Sequence, residues 1–211
     1  MEFQDVMRSR RAVNFFDPDR DVAPELLRGV LETAARAPSG FNLQPWKVAV
    51  LRDQAQKAKL RPLAWDQPKI TEAPVVLMLL ADTEGWKADQ PAFIRQFEYM
   101  VATGRFAADE QPRFRDTVTG IYGQTSDQSL AFAIKNTAFF AMTLMYAAAD
   151  AGLRTHPIDG FDHEAVRQAF AIPDRFWIPL LLTVGYLKPG VTVAPPKWRF
   201  TPEEFLYELP R

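Results

Sequence analysis

The most informative feature of this sequence is a nine-residue segment, Pro38-Ser39-Gly40-Phe41-Asn42-Leu43-Gln44-Pro45-Trp46. Ser39 and Gly40 are small, so the backbone there can approach a flat polar ligand closely. Asn42 and Gln44 carry both hydrogen-bond donors and acceptors, which suits the edge of a heterocycle that alternates the two. The alternative is an ordinary helix-to-strand loop made of turn-forming residues.

Basic residues stand near both ends of the chain: Arg10 and Arg11 at the start, Lys197 and Arg199 near the finish. If the fold joins them, they form a site for a dianionic phosphate, since Arg offers forked contacts and Lys a mobile point charge. Taken singly, each is more typical of solvated surface charge. Combined with the loop, they favour a phosphorylated, planar heterocycle as ligand.

The composition excludes several kinds of chemistry. The 211 residues include no Cys, which removes disulfides, thiol chemistry and most structural zinc sites. The two histidines, His156 and His163, lack metal-binding spacing; we interpret both as structural, His156 in an extended segment and His163 exposed in a first helical turn. We therefore predict no metal site and no catalytic side chain, and expect the chemistry to reside on a bound cofactor.

Charge and hydropathy indicate where the protein works. A net charge of −1 provides no field that would attract nucleic acid or an anionic membrane. The N-terminus lacks the apolar segment of a signal peptide, so we expect a cytoplasmic protein. The longest apolar stretch, 130–153, is interrupted by polar and charged residues and predicts a buried helix instead of a membrane span; Ser126 or Asp127 is its expected cap.

Hydrophobic periodicity outlines the elements that must position these residues. It predicts helices over 2–9, from Pro24 onward, over 53–64 and after Asp162, and strands over 46–51, 75–81 and 176–186. We expect one domain over 1–211. Its aromatic-rich segment 84–123 is either a substrate lid or plain packing, and its proline-rich C-terminal arm, 187–211, has apolar side chains to bury against a second subunit.

Four blocks of the sequence resemble the nitroreductase family of FMN-dependent oxidoreductases, over nearly the whole length. The blocks, in the family's order, are Arg10-Arg11-Ala12-Val13-Asn14-Phe15-Phe16, Ala37 to Trp46, His156-Pro157-Ile158-Asp159-Gly160-Phe161-Asp162 and Lys197-Trp198-Arg199. The resemblance implies an α+β fold: a three-layer α/β/α sandwich with a central mixed, mainly antiparallel sheet and a C-terminal arm exchanged in a homodimer. It also implies ping-pong hydride transfer from NAD(P)H (NAD or NADP as the oxidised donor) through flavin N5.

The resemblance also assigns residues to an FMN site. It implies phosphate contacts from Arg10, with Arg11 and Ala12 beside it, and from Lys197 and Arg199. The flavin ring would be lined by residues of the loop and of three other segments, with Lys69 at its pyrimidine edge and a backbone amide of Asp159-Gly160 near N5. These ring residues are Asn14, Pro38, Ser39, Gly40, Asn42, Asp66, Lys69, Asp159 and Gly160, and Gln44 would belong to the cofactor site by supporting the loop.

Three positions depart from the family pattern. Ala12 stands where Ser is frequent, Asn14 where Lys or Arg is frequent, and Asp66 where Asn is common. A carboxylate near the pyrimidine edge opposes flavin reduction, so we expect a shifted flavin potential.

The expected acceptors are nitroaromatics, quinones or similar flat small molecules, with no nucleic-acid or membrane partner. Two alternatives stay open. One is a specialised flavoenzyme of the same fold, a dehalogenase, dehydrogenase or flavin-fragmenting enzyme, because fold does not fix function. The other is a non-catalytic FMN-binding or redox-sensing protein.

Overall fold

The protein is built on a four-stranded sheet, seen here in a computed structural model that describes residues 2–210. The spatial order is β1-β2-β4-β3 and every neighbouring pair is antiparallel. Among the described residues, a parallel pairing occurs only as the isolated bridge between Ala12 and Thr155. The strands are β1 (Trp46–Leu51), β2 (Val75–Asp82), β3 (Arg154–Ile158) and β4 (Phe176–Gly185).

Helices cover both faces of this sheet, which confirms the predicted three-layer α+β fold. The helices are α1 (Phe3–Ser9), α2 (Pro24–Ala34), α3 (Gln54–Leu63), α4 (Lys69–Glu72), α5 (Pro91–Ala102), α6 (Gln111–Tyr122), α7 (Ser126–Asp150), α8 (His163–Ala169) and α9 (Pro202–Phe205). Alternate side chains of β2 enter different cores, as the period of a strand requires: Val75 and Leu77 pack with α2 and α7, whereas Val76 and Met78 pack with α3, α4 and α8.

The predicted long helix is α7, and it is the core helix of the fold. By length and composition alone it could span a membrane, but it packs against all four strands and against α2. Its N-cap is Thr125, not Ser126 or Asp127 as expected. The Thr125 hydroxyl accepts from the Gln128 backbone amide at 3.1 Å, and the Thr125 backbone amide donates to Gln128 Oε1 at 3.2 Å. This reciprocal pair is a capping box, which outweighs the cap preference of the residues that follow.

The aromatic-rich segment 84–123 forms α5 and α6 and a separate hydrophobic cluster. Phe93, Phe97 and Phe114 are buried there against one another and against Phe132 of α7. For these rings the packing interpretation holds, whereas Tyr99 of α5 remains 56% exposed.

The C-terminal arm leaves its large apolar side chains exposed to solvent. Trp198 is 75% exposed, and Phe200, Phe205, Leu206, Tyr207 and Leu209 are exposed as well. Contiguous exposed apolar residues of this kind mark an interaction surface.

Candidate functional site

A basic cleft of about 510 Å³ lies between the N-terminal segment, β3 and the C-terminal arm. The fold therefore joins the basic residues that are distant in sequence. Of the residues that the structure describes, five cationic side chains and no carboxylate line the cleft. Its lining residues are Met7, Arg8, Arg10, Arg11, Ala12, Asn14, His156, Ala194, Pro195, Pro196, Lys197 and Arg199.

Backbone pairing fixes the inner wall of the cleft. The Val13 amide donates to the Thr155 carbonyl at 3.2 Å, which ties the segment after Arg11 to β3. The Arg11 guanidinium donates to the carbonyls of Arg8 and Arg10 at 2.7 and 2.8 Å. Its Nε is buried and has no partner among the described residues, which leaves a donor unused at the cleft.

A chain of hydrogen bonds leads from the cleft to the turn after β3. His156 Nδ1 lies 3.0 Å from the Val13 carbonyl oxygen, and His156 Nε2 lies 3.4 Å from Lys69 Nζ. Lys69 also donates to Gln67 Oε1 at 3.0 Å, and Gln67 Nε2 donates to the Gly160 carbonyl at 2.9 Å. Lys69 and Gly160, both predicted to face the flavin, are thus joined through Gln67.

Burial and neighbouring positive charges shift the pKa values of two residues in this hydrogen-bonded series, Lys69 and His156. Burial lowers the pKa of Lys69 below its ordinary value. Burial also lowers the pKa of His156, and the nearby charges of Lys69 and Lys197 lower it further, against the opposing effect of the Val13 hydrogen bond. The neutral imidazole is therefore favoured at pH 7.

The turn beside Gly160 contains two strained residues. Trp65 and Asp66 have φ of 54° and 53°, a left-handed conformation that is rare for a bulky residue. A Cβ on Gly160 would lie 2.7 Å from the Trp65 ring, so a larger residue there would require that ring to move. Asp66 pairs with Arg61 at 2.7 Å, which offsets part of the negative charge expected to oppose flavin reduction.

The Pro38–Trp46 loop is strained as well and is held from inside the protein. Phe41, Asn42 and Gln44 have φ of 49°, 55° and 47°. The Gln44 amide donates to Ser39 Oγ at 3.0 Å, and the Gly40 amide donates to Oδ1 of Asn136, a fully buried residue of α7, at 3.1 Å. Strain that the surroundings hold in place is typical of functional loops.

A second cleft of about 460 Å³ separates this loop from α5. Asn42 Nδ2 donates to Gln96 Oε1 at 3.2 Å across it, and Tyr99, Lys47 and Arg95 also line it. It shares no lining residue with the basic cleft.

The loop and the basic cleft lie near opposite corners of the sheet. Trp46, where the loop ends, is the first residue of edge strand β1. His156 lies on the other edge strand, β3. The cross-strand residue pairs that start at His156 lead through β4 and β2 to Leu51, the last residue of β1. Trp46 and His156 are therefore about three strand spacings apart across the sheet, roughly 14 Å, and about five residues apart along the strands, roughly 17 Å.

The predicted site residues thus fall into three groups. The basic cleft brings together Arg10, Arg11, Ala12, Asn14, Lys197 and Arg199. Lys69 joins them through His156, and Gly160 joins Lys69 through Gln67, with Asp66 and Asp159 in the adjoining turns. The loop residues Pro38, Ser39, Gly40, Asn42 and Gln44 stand apart from both groups.

Sequence reasoning missed three polar residues that support the site. His156 lies in an extended strand as expected, but its ring faces the cleft; Gln67 and Asn136 had no assigned role. The polar Asn136 within the apolar stretch 130–153 was the available signal for a buried amide with a partner.

Comparison with known proteins decides the family. The model of the nitroreductase family matches residues 7–186, most of the chain. The chain belongs to the nitroreductase family. A Thermus thermophilus protein named NADH dehydrogenase is 36% identical over 168 residues, which are 79% of this chain and 78% of that protein.

Solved nitroreductase structures share the whole fold. The candidate nitroreductase YdfN of Bacillus subtilis is 30% identical and superposes with a TM-score of 0.89, covering 99% of both chains. A candidate nitroreductase of Exiguobacterium sibiricum, solved in complex with FMN, has a TM-score of 0.84 at 23% identity and covers 98% of this chain and 97% of its own. At that identity the second likeness shows the fold alone.

Proposed function

We propose that this nitroreductase-family protein is an FMN-dependent oxidoreductase that accepts reducing equivalents from NADH or NADPH and transfers them to nitroaromatics, quinones or similar flat acceptors. The observation that carries the proposal is the basic cleft, on which five cationic side chains converge with no carboxylate among the described residues that line it. Forked guanidinium groups and a Lys point charge suit a terminal phosphate. The FMN complex of the Exiguobacterium protein and the name of the Thermus relative support the cofactor and the donor.

The residues of the cleft fit the phosphate end of FMN. Arg10, Lys197 and Arg199 supply positive charge from both ends of the chain, and the unused buried Nε of Arg11 offers a further donor. The neutral Asn14 and His156 stand among these cations without opposing them. Ala12 has no hydroxyl group to donate to the phosphate, as a Ser at this position would have. The guanidinium groups therefore contribute a larger share of phosphate binding.

Bound FMN would supply the hydride carrier, so the protein needs no side-chain nucleophile. Lys69 would hold positive charge at the pyrimidine edge of the ring, where it stabilises negative charge that develops on reduction. The Asp159-Gly160 backbone would approach N5, and Gln67 fixes that turn by binding the Gly160 carbonyl at 2.9 Å.

The separation of the two clefts supports a homodimer. Because the loop and the basic cleft occupy opposite corners of one sheet, a second copy is needed to bring a loop to each cleft. The exposed apolar arm is suited to hold that copy, as Trp198, Leu206 and Tyr207 are more than two thirds exposed in one chain. An isologous pair buries the same arm twice and creates two equivalent FMN sites.

The test is the visible spectrum of the purified protein after FMN addition and desalting, followed by anaerobic addition of NADH or NADPH. We expect a bound flavin spectrum that either donor bleaches and that a nitroaromatic or quinone restores. Bound flavin that neither donor bleaches would contradict the reductase and favour a redox sensor. Bleaching without reoxidation by any flat acceptor would favour a specialised flavoenzyme.

The phosphate assignment has its own variant. Replacing Lys197 and Arg199 together by Met removes charge-assisted contacts, each worth about 1.5–3 kcal/mol, and should weaken FMN binding at least about tenfold. Riboflavin, which lacks the phosphate, should bind both forms equally. Arg28→Met with Lys135→Met, an exposed pair outside the cleft, is the matched control. Equal loss of FMN and riboflavin would contradict the assignment.

A further inference from the structure

His156 lies between two groups that select a single state of its ring. Its Nδ1 is 3.0 Å from the Val13 carbonyl oxygen, which can only accept a hydrogen bond. Its Nε2 is 3.4 Å from Lys69 Nζ, an ammonium that can only donate. Both contacts are made at once only by the neutral ring with its proton on Nδ1.

The charges around His156 favour the same neutral state. Among the residues that the structure describes, no carboxylate lines the cleft. The cations around the ring come from three parts of the chain: Lys69 of α4 contacts Nε2, and the same cleft that His156 lines is also lined by Lys197 and Arg199 of the C-terminal arm and by Arg8, Arg10 and Arg11 of the N-terminal segment. A proton on Nε2 would add a charge to this group and place it against the Lys69 ammonium.

The contact with Lys69 has a consequence beyond β3. Lys69 is also bound to Gln67, which holds the carbonyl of Gly160. The imidazole therefore completes a path from the Val13 carbonyl, at the basic cleft, to the turn that follows β3. If the only role of His156 were to donate a hydrogen bond to the Val13 carbonyl, the protonation of its Nε2 would have no effect on the site.

We propose that His156 is a positioning residue whose neutral imidazole accepts a hydrogen bond from Lys69 and aims that ammonium between the basic cleft and the Gly160 turn. Protonation of His156 ends the contact, because both partners then donate. The proposal rests on the proposed function only for the identity of the ligand near Lys69, because the contact between His156 and Lys69 is present in the protein without cofactor.

The first experiment is performed on the cofactor-free wild-type protein, with one variant used only to assign signals. Long-range ¹H–¹⁵N spectra distinguish the two neutral tautomers of each histidine; the spectrum of His156→Gln assigns the signals. At pH 7.5 we expect His156 to be neutral with its proton on Nδ1. A proton on Nε2, or a doubly protonated ring at that pH, would overturn the proposal.

The same spectra test the coupling between the two residues. Lys69→Met should raise the pKa of His156, because it removes the facing ammonium. Lys135→Met, at an exposed position outside the cleft, should leave it unchanged. His163, whose Nε2 accepts from the Ile178 amide at 2.9 Å, is an internal control in every sample. A His156 pKa that ignores Lys69→Met would also overturn the proposal.

The positioning role is measured with FMN as the probe at pH 8. His156→Leu should weaken FMN binding about tenfold and lower the midpoint potential of the bound flavin, because Lys69 loses an acceptor. His156→Gln should stay within about threefold of wild type, since an amide supplies both a donor and an acceptor. Equal effects of Leu and Gln would show a merely structural residue. If wild type fails to bind FMN, the proposed function fails while the tautomer spectra still decide this inference.

Discussion

Asn136 shows how one buried side chain supports a functional loop. Its Oδ1 accepts from the Gly40 amide at 3.1 Å and its Nδ2 donates to the Phe132 carbonyl at 2.7 Å, and no part of the residue reaches solvent. A buried amide is tolerated only when it is hydrogen-bonded on both sides. The loop strain at Phe41 and Asn42 is thus held against a rigid helix.

Replacing Asn136 by Leu should lower the free energy of unfolding by about 1–3 kcal/mol, because the Gly40 amide loses its partner. The adjacent Thr137→Val is the matched control: the Thr137 hydroxyl is buried with no hydrogen-bond partner among the described residues, so its removal should cost little or raise stability. Urea denaturation followed by circular dichroism measures both. Equal stability of the two variants would contradict the role given to Asn136.

Acid should destabilise the fold through its histidines. Burial lowers the pKa of both His156 and His163 below 6.5 in the folded state. Below pH 6.5 the unfolded chain therefore binds more protons, and the histidine contribution to stability, complete above pH 6.5, is lost as pH falls toward the folded pKa values. We expect urea midpoints of wild type to fall more steeply from pH 7.5 to 5 than those of the His156→Gln, His163→Gln variant. Parallel curves would refute this.

At the residue scale, sequence predicted charges better than contacts. Arg10 and Lys197 could be grouped because a phosphate needs several cations. The partner of His156 could not be predicted, because α4 brings Lys69 to β3 only through tertiary packing. That Asp66 opposes flavin reduction stays a prediction from its residue type, whereas its ion pair with Arg61, formed beside the left-handed backbone at Trp65, could not be predicted from the sequence.

At the element scale, α7 depends on its capping box. Thr125→Ala removes the hydroxyl that accepts from the Gln128 amide and should lower the free energy of unfolding by about 1 kcal/mol. Ser126→Ala, one position along, is the control and should change stability by a few tenths of a kcal/mol. Thermal and urea denaturation compare the two. A larger loss at Ser126 would return the cap to the position first predicted from sequence.

Periodicity predicted the buried elements and failed on short ones. The strand over 46–51 has the predicted bounds, and the strand that begins at Val75 is one residue longer than predicted. Both agree closely with the prediction because a strong apolar pattern defines where a buried strand runs. β3 was anticipated only as an extended segment, because His156 and Pro157 interrupt its pattern. The single-turn helix α4 gives too short a pattern to detect.

At the scale of the whole molecule, the account depends on where the sheet places two clefts. The resemblance assigned the loop and the basic residues to one flavin, whereas a single chain holds them at opposite corners. A dimer reconciles the two, and the solvent-exposed arm with Trp198 and Tyr207 is the surface most suited to form it.

Complementation between two defective chains tests this claim most directly. One variant carries Arg10→Ser and Arg199→Ser in the basic cleft. The other carries Gly40→Val, whose added side chain has no room beside the Tyr122 hydroxyl. Each variant alone should bind little FMN, measured as flavin per chain after desalting.

Mixed dimers of the two variants, purified by separate affinity tags, contain one site in which both halves are intact if each site is shared between subunits. We predict that they bind about one FMN per dimer. Mixed dimers that bind no more FMN than either parent would contradict the shared site and return the cofactor to a single chain.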